Sequence, residues 1–534
     1  MIADRKLSWE RAAVIAVCLV ALSFHMVAIG RGSIELDEFQ HLHAAWLVSQ
    51  GQTPYADFFE HHTPLLYYLL AAALPLDDPG FDTIVQARYV ALAFTMLAAF
   101  AAWLWMKRYG RIEALIVVCL FASNTFLLFT GHTVFVDIHS APLLILSAFL
   151  IAIGEKRPSL MAASGLAFGL AVLFNLKASM AMFAPAALIL ARGVVAWNSP
   201  PLRRSWLRGT VCYGLGGIAA ILFVSALLGT SGLDGLWRYV VQMNLAWKGR
   251  HSGLRELIGI VWAEPFVCAV AGAAVLHRCW SVYRRRFVLD ERDVPALFLA
   301  SLGLGILLLP VVWKEYFVLV VPFVLLVAAI ALGEWFRAGA GDRRFAFVSL
   351  GVLAFFGALA VFPYRAIFRG DSLAFVQSAA MIGVFAVLAI AVKHRTGGSW
   401  WFQKSICIAL ISVFPLIRVG TTLDRLDNLD QRKPIEYILA NTGAADAVFD
   451  GYSGFGVFRP HAYWYWFLHE EVQAMLSERE KTSGIVEALE TKRPAFVVYD
   501  GWIRALPQEV QTYIQDRYED TSVENLKRLK APAP

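Results

Sequence analysis

Charge is scarce in this chain. Only 16% of its 534 residues are Asp, Glu, Lys or Arg, which is out of keeping with the three or four water-soluble domains that such a length would otherwise make. A concentrated basic face is also missing. The formal net charge is +6, but the Lys and Arg fall in short clusters at the ends of apolar runs, and a nucleic-acid binder would gather them on one face; no nucleic-acid partner is expected. Cysteine is sparse as well: Cys18, Cys119, Cys212, Cys268, Cys279 and Cys407 lie in or beside apolar stretches without paired ligand spacing. They read as small hydrophobes, not as disulfides or zinc ligands. There is no internal repeat and no low-complexity segment.

What the chain has in abundance is apolar sequence, 58% of residues with a mean hydropathy of +0.58. That composition describes a polytopic membrane protein. Lipid offers no partner for backbone N–H and C=O groups, so each crossing needs a helix of roughly 20 mostly apolar residues. About thirteen spans are expected on that criterion, near 11–30, 86–106, 112–131, 140–154, 159–176, 178–196, 209–229, 257–277, 294–312, 316–336, 345–362, 375–393 and 400–418. The first run is too long, and too poor in small-residue cleavage signals, for a removable signal peptide, and reads as a retained helix.

Lys and Arg orient the bundle, because short cytoplasmic loops retain them. With the N-terminus inside, the cytoplasmic segments carry 23 of the 34 Lys and Arg that precede Val419, and an odd number of spans puts the C-terminal tail outside. From Val419 onward 18 acidic residues face 13 basic ones. Strand-like patches at Ala447–Asp450 and Pro494–Asp500 alternate with helical patterns near 431–441, 469–478, 483–491 and 507–517. The expected organisation is therefore an α-helical transmembrane domain, 1–418, and a small soluble extracytoplasmic α/β domain, 419–534.

Two external segments are too long for simple turns. Residues 31–85 are acidic, and within them Asp37–Ser49 and Pro64–Leu74 read as short amphipathic helices lying along the membrane surface. Residues 230–256 mix Trp237, Tyr239 and Trp247 with Arg238, Lys248, Arg250 and Arg255, a composition suited to the headgroup level. In the tail, Tyr463-Trp464-Tyr465-Trp466 reads as an interfacial anchor, with sugar stacking as the alternative.

The chemistry-bearing stretch runs from Glu35 to Leu70, just after the first span. Asp37 and Glu38 are adjacent carboxylates that point in different directions at a helix start, so one of them faces a given pocket. Helix capping explains Asp37 equally well on its own; its place beside the bilayer, followed by Glu60, His61, His62 and Pro64, favours a functional role. Asp137, between His132 and His139, either positions a substrate or caps the next helix. Lys177 and Lys314 either face a polar cavity or snorkel to the interface. Histidines 41, 43, 61, 62, 132 and 139 invite a metal, but their spacing has no metal specificity, and no required metal or other cofactor is expected.

These residues, in this order, resemble the GT-C glycosyltransferases that use lipid-linked sugars, in the branch of protein O-mannosyltransferases and the lipid A aminoarabinose transferase. The resemblance rests on the Asp37–Glu38 pair after span one, the turn at Gly51, Pro54 and Tyr55, and the helix from Pro64 to Tyr67. It continues through Asp137, Lys177 in FNLKASM, and Lys314, Tyr316 and Pro322 in KEYFVLVVP, and so extends over most of the chain. It implies inverting transfer from a polyprenyl-phosphate sugar to a lipid, glycan or protein acceptor, with Asp37 as catalytic base and Glu38 supporting the geometry or binding acceptor. Glu60, His62, Asp137, Lys177, Lys314 and Tyr316 then bind substrate. Where the aminoarabinose transferase pattern has Glu-Lys-Pro, this chain has His62-Thr63-Pro64. The phosphate-binding cation then falls to Lys177, Lys314, and Arg250 or Arg255. One carboxylate suffices, because a phosphate leaving group needs charge neutralisation more than protonation. The short N-terminus and compact loops suggest a bacterial inner-membrane protein, in contact with membrane lipids. Two rivals stay open at this point: a transporter or flippase for a polyprenyl-linked glycan, whose expected repeated halves are missing, and an inactive envelope-assembly scaffold.

Overall fold

The computed structural model describes residues 2–247, 252–285, 288–337, 415–416, 419–420 and 422–531. Helix α1 (Ile2–Arg31) is followed by the short helices α2 (Leu36–Ser49) and α3 (Leu65–Ala73). Then come α4 (Phe81–Lys107), α5 (Arg111–Ser123), α6 (Thr125–Thr130), α7 (Val136–Ile153) and α8 (Pro158–Phe174). A 3₁₀ turn, Leu176–Met182, leads into α9 (Phe183–Ala196), and α10 (Pro200–Gly235) runs through a π-helical turn into α11 (Met243–Ala246). The bundle continues with α12 (Gly253–Ala263), α13 (Pro265–Arg284), α14 (Val294–Leu307), a 3₁₀ turn at Lys314–Leu319, and α15 (Val321–Arg337). Among the described residues seven helical segments are long and apolar enough to cross a bilayer. Each expected span up to residue 336 falls on helix. Those at 345–362 and 375–393, nearly all of 400–418, and Arg250 lie outside the described residues.

Two expected spans are broken. Asn124 stops α5 with extended backbone and caps α6 by accepting from the Leu127 N–H at 3.0 Å. The 257–277 span divides at Glu264, because the residue before a proline is pushed out of helical geometry and Pro265 follows. The freed Glu264 carboxylate accepts the Thr125 N–H. Elsewhere the helices approach closely through small residues, as lipid-embedded packing requires. A methyl group at Gly165 would overlap the Tyr213 carbonyl and one at Gly216 the Ala162 carbonyl, so α8 and α10 cross nearly backbone to backbone. Between α7 and α8, Ser164 Oγ donates to the Ser147 carbonyl at 2.8 Å and Ser140 Oγ to that of Ala171 at 2.9 Å.

The C-terminal unit contains α16 (Leu429–Ala440), β1 (Val448–Asp450), α17 (Ser483–Lys492), β2 (Phe496–Val498), α18 (Gln508–Arg517), β3 (Tyr518–Asp520) and β4 (Leu526–Leu529). The sheet order is β1-β2-β4-β3, with β1 and β2 parallel in the register Val448–Phe496 and the other pairs antiparallel. The helix expected near 469–478 is instead two single turns, Glu470–Gln473 and Glu478–Lys481.

α2 overturns the expectation of a surface-lying helix. Every residue from Glu38 to Leu47 is buried, because the bundle covers one side and the C-terminal unit the other. His43 Nδ1 meets the Val457 carbonyl at 2.8 Å and its Nε2 meets His461 at 2.9 Å. The Tyr463–Trp466 stretch, expected as an interfacial anchor, packs in part against the loop that follows α2. Tyr465 meets Phe59 edge-on at 4.8 Å and Trp466 donates to the Phe59 carbonyl at 2.8 Å. Gln431 exchanges two 2.7 Å hydrogen bonds with the backbone of Ile34, which ties α16 to the start of α2.

One ion pair sets the position of α2. Arg88, inside the apolar α4, is 2% exposed and Glu38 0%. The guanidinium forks onto both carboxylate oxygens at 2.9 and 2.6 Å and also donates to the carbonyls of Gly32 and Ser33 at the end of α1. Glu38 additionally accepts from the backbone of Glu35 and Val134. Breaking a buried pair strands the remaining charge and costs about 3–5 kcal/mol. Arg88→Met is therefore expected to lower the Tm of the detergent-purified protein markedly, and the double variant Arg88→Met/Glu38→Gln to recover most of the loss. An unchanged Tm in the single variant would show that the pair does not carry this stability.

Candidate active site

Outside the bundle core, where α2 meets the C-terminal unit, an open cavity of about 250 Å³ brings together residues from the whole length of the chain. Asp37, His62, Asp137, Lys177 and Tyr316, all singled out in the sequence, line it. Asp37 is in the first turn of α2, where the helix dipole favours a carboxylate. The Tyr452 hydroxyl donates to its Oδ1 at 2.5 Å. Burial, the largest single influence, pushes the Asp37 carboxyl up, but His41, the Tyr452 hydrogen bond, His62 and Lys177 together outweigh it and hold the group below its ordinary value of 3.8. Asp37 is thus a carboxylate at neutral pH, fit to accept a proton.

Lys177 is placed by Asn175, whose side chain caps the 3₁₀ turn by accepting the Lys177 N–H at 3.0 Å. Its Nζ lies 3.3 Å from Asp137 Oδ2 and 3.5 Å above the ring centroid of Tyr316. An ammonium between a carboxylate and an aromatic face is held from both sides. Asp137 also accepts from Asn175 Nδ2 at 2.7 Å. The bland alternative for Lys177, snorkelling to the interface, does not describe this arrangement.

Three expected site residues sit elsewhere. Glu38, expected to be catalytic or to touch acceptor, does not line the cavity: it is turned away into the Arg88 pair and fixes α2. Glu60 is fully buried beneath the cavity wall and does not line it. Lys314 is 54% exposed and pairs with Glu35 at 3.7 Å, at the rim and not among the lining groups. Arg255 does not line the cavity either.

Glu60, His61 and His62 place ligand-type atoms within 4.8 Å of one another, as a metal cluster would. The amide of Gln40 takes the central place. Its Nε2 lies 2.7 Å from Glu60 Oε1, 3.3 Å from His61 Nδ1 and 3.2 Å from His62 Nδ1. An amide nitrogen has two hydrogens and donates to two of these three acceptors at a time; Glu60 Oε1 also takes the backbone N–H groups of His61 and His62, and His62 Nδ1 lies 3.2 Å from it.

The residues that sequence reasoning missed come mainly from the C-terminal unit. Tyr452, His469, Glu471 and Trp502 line the cavity, together with Trp313 and Glu315. Tyr452 lies in GYSGFG, directly after β1. A glycine-rich loop at the carboxyl end of a parallel strand is a place where binding residues collect, and that was the available signal. Arg88 was also legible: a charge inside an apolar span demands a buried partner.

The chain, a polytopic helical bundle with a carboxylate and a lysine on one cavity beside a mixed α/β unit, shares its fold with several solved structures. The family model of dolichyl-phosphate-mannose-protein mannosyltransferase matches residues 61–229, a stretch that begins after Asp37. Among solved structures, ArnT from Cupriavidus metallidurans bound to undecaprenyl phosphate superposes with a TM-score of 0.61 at 13% identity, covering 92% of each chain. The oligosaccharyltransferase AglB from Archaeoglobus fulgidus, with an inhibitory peptide and a dolichol-phosphate, has a TM-score of 0.50 at 11% identity over 92% of this chain and 69% of that one. The arabinosyltransferase EmbB from Mycobacterium smegmatis reaches 0.50 at 13% identity over 77% and 40%. Sequence comparison with curated proteins gives no match.

Two outcomes are expected from this geometry. An anion entering the cavity would meet Lys177 and not Lys314, so Lys177→Ala should weaken binding of a phosphate probe about tenfold or more, the scale of one charge-assisted contact, whereas Lys314→Ala should change it less than twofold; equal effects, measured by calorimetry, would contradict the separate placement. Burial holds His41 and His43 near 4, against 6.5 unperturbed. The unfolded chain therefore binds more protons between those values, and stability must fall as pH drops through that window. The Tm should be lower at pH 5 than at pH 7, and equal Tm values would refute the buried neutral assignment.

Proposed function

We propose that this protein is an inverting glycosyltransferase that moves a sugar from a polyprenyl-phosphate donor to a hydroxyl of a cell-envelope acceptor, on the extracytoplasmic face of a bacterial inner membrane. The observation that carries the reading is that Asp37 and the Asp137-paired Lys177 lie on one cavity. In this mechanism Asp37 takes the proton of the acceptor hydroxyl as that oxygen attacks the anomeric carbon. The bond from that carbon to the phosphate oxygen breaks on the opposite side of the sugar, which inverts its configuration, and polyprenyl phosphate leaves with its growing charge balanced by Lys177. Asp137 and Tyr316 hold the lysine in place. Trp247, Trp313 and Trp502 offer apolar faces for sugar rings.

No second carboxylate has to protonate the leaving group, in contrast to simple glycoside hydrolysis. The reading also needs no divalent metal, since Lys177 supplies the positive charge that balances the leaving phosphate. The acceptor class comprises lipid A core, another envelope glycan or protein. Binding of undecaprenyl phosphate by the ArnT structure supports a lipid-phosphate donor for this chain.

Asp37→Asn is nearly isosteric and removes the base. The variant is expected to lose transfer by about 10²–10⁴-fold while keeping its Tm and its affinity for undecaprenyl phosphate. Mass spectrometry of envelope glycolipids and glycoproteins from cells with wild type, a deletion or Asp37→Asn should show the same sugar mass missing from both mutants. A normal profile in Asp37→Asn cells beside an altered one in the deletion would remove Asp37 from the base role.

A further inference from the structure

Tyr452 belongs to the C-terminal unit, yet it touches the carboxylate on which the proposed chemistry turns. Its hydroxyl donates to Asp37 Oδ1 at 2.5 Å. Burial and the nearby Asp37 charge push that phenol well above its usual 10, so it is the donor. Three further contacts fix where this hydroxyl points. Asp450 Oδ1 accepts the Tyr452 N–H at 3.0 Å and its Oδ2 that of Gly456 at 3.2 Å, which closes the loop after β1. Ser453 Oγ donates to Asp500, at the end of the neighbouring strand. Gly454, at φ +79°, lies so close to the Phe39 ring that a Cβ there would overlap it. The loop is therefore seated on α2 itself, two residues from Asp37, and the Tyr452 ring is packed by His469 and Trp502 at 5.2 and 5.9 Å.

A carboxylate with both oxygens free rotates between orientations, whereas one oxygen held by a fixed donor leaves the other aimed one way. We infer that Tyr452 is a positioning residue of the active centre, supplied by the C-terminal unit, which holds Asp37 Oδ1 so that Oδ2 meets the acceptor hydroxyl. This rests on the reading of Asp37 as base. The C-terminal unit thereby completes the catalytic geometry in addition to covering the cavity.

The test uses the full-length protein in nanodiscs, polyprenyl-phosphate sugars extracted from the producing cells as donor, and their envelope fraction as acceptor. Tyr452→Phe keeps the ring and removes only the hydroxyl. It should lower kcat roughly tenfold, the worth of a hydrogen bond to a charged group, with donor KM, Tm and undecaprenyl phosphate affinity unchanged. Gly454→Ala keeps the hydroxyl but lifts the loop from Phe39, and should lower kcat similarly. A wild-type kcat in Tyr452→Phe, or a raised KM with kcat intact, would overturn the inference while Asp37→Asn stayed inactive. An active Asp37→Asn would instead mark failure of the base reading itself.

Discussion

The buried contact between Arg88 and Glu38 is the constraint on which the rest of the site depends. One guanidinium satisfies the carbonyls left open at the end of α1, grips both oxygens of Glu38, and so fixes the angle at which the chain leaves the bundle. Glu38 in turn accepts the Val134 N–H, and His41, one helical turn on, meets the Val134 carbonyl at 2.6 Å. Val134 precedes α7, the helix that begins with Asp137 on the cavity. A single charge in α4 thus sets the positions of Asp37 and Asp137 together. A buried ion pair is a poor source of net stability but a strong determinant of geometry, since any displacement leaves a charge without its partner.

Around that pair the cavity is a joint product of two kinds of packing. The helices of the bundle meet through small residues and hydroxyl-to-carbonyl bonds, the means available where water exerts no hydrophobic pressure between helices. The C-terminal unit packs by ordinary apolar burial, and its cores run continuously into the bundle. Phe458 and Val457 share one with Phe39 and Leu42, while Phe467 and Phe449 share another with Phe59 and Trp247. α2 lies between the two and is buried on both sides. The polar side chains of Glu38, Gln40 and His43 find protein partners there.

Much of the bundle was legible because a membrane helix must satisfy its own backbone, so an apolar run of sufficient length dictates a span. The breaks at Asn124 and Glu264 were less visible, since each is one polar residue inside such a run and its effect depends on a partner far along the chain. Of the site, Asp37, His62, Asp137, Lys177 and Tyr316 came from the sequence, where a charge or a polar ring beside lipid stands out and the resemblance to a known family supplied the order. Glu38 and Lys314 looked equivalent to them and were not. Adjacent carboxylates on a helix point about 100° apart, and which of the two faces the cavity was settled by Arg88, 50 residues away in sequence.

The sequence by itself determined that the chain crosses a membrane repeatedly, where most of the crossings lie, and that a mixed helix and strand unit follows them. These are local properties of composition and period. Only the tertiary structure decided that α2 is buried, that Gln40 stands at the centre of a histidine and glutamate cluster, and that Tyr452 reaches Asp37 across 415 positions. Such contacts depend on the relative placement of elements, which is fixed by the summed packing of the whole chain and carries no signature in any one segment.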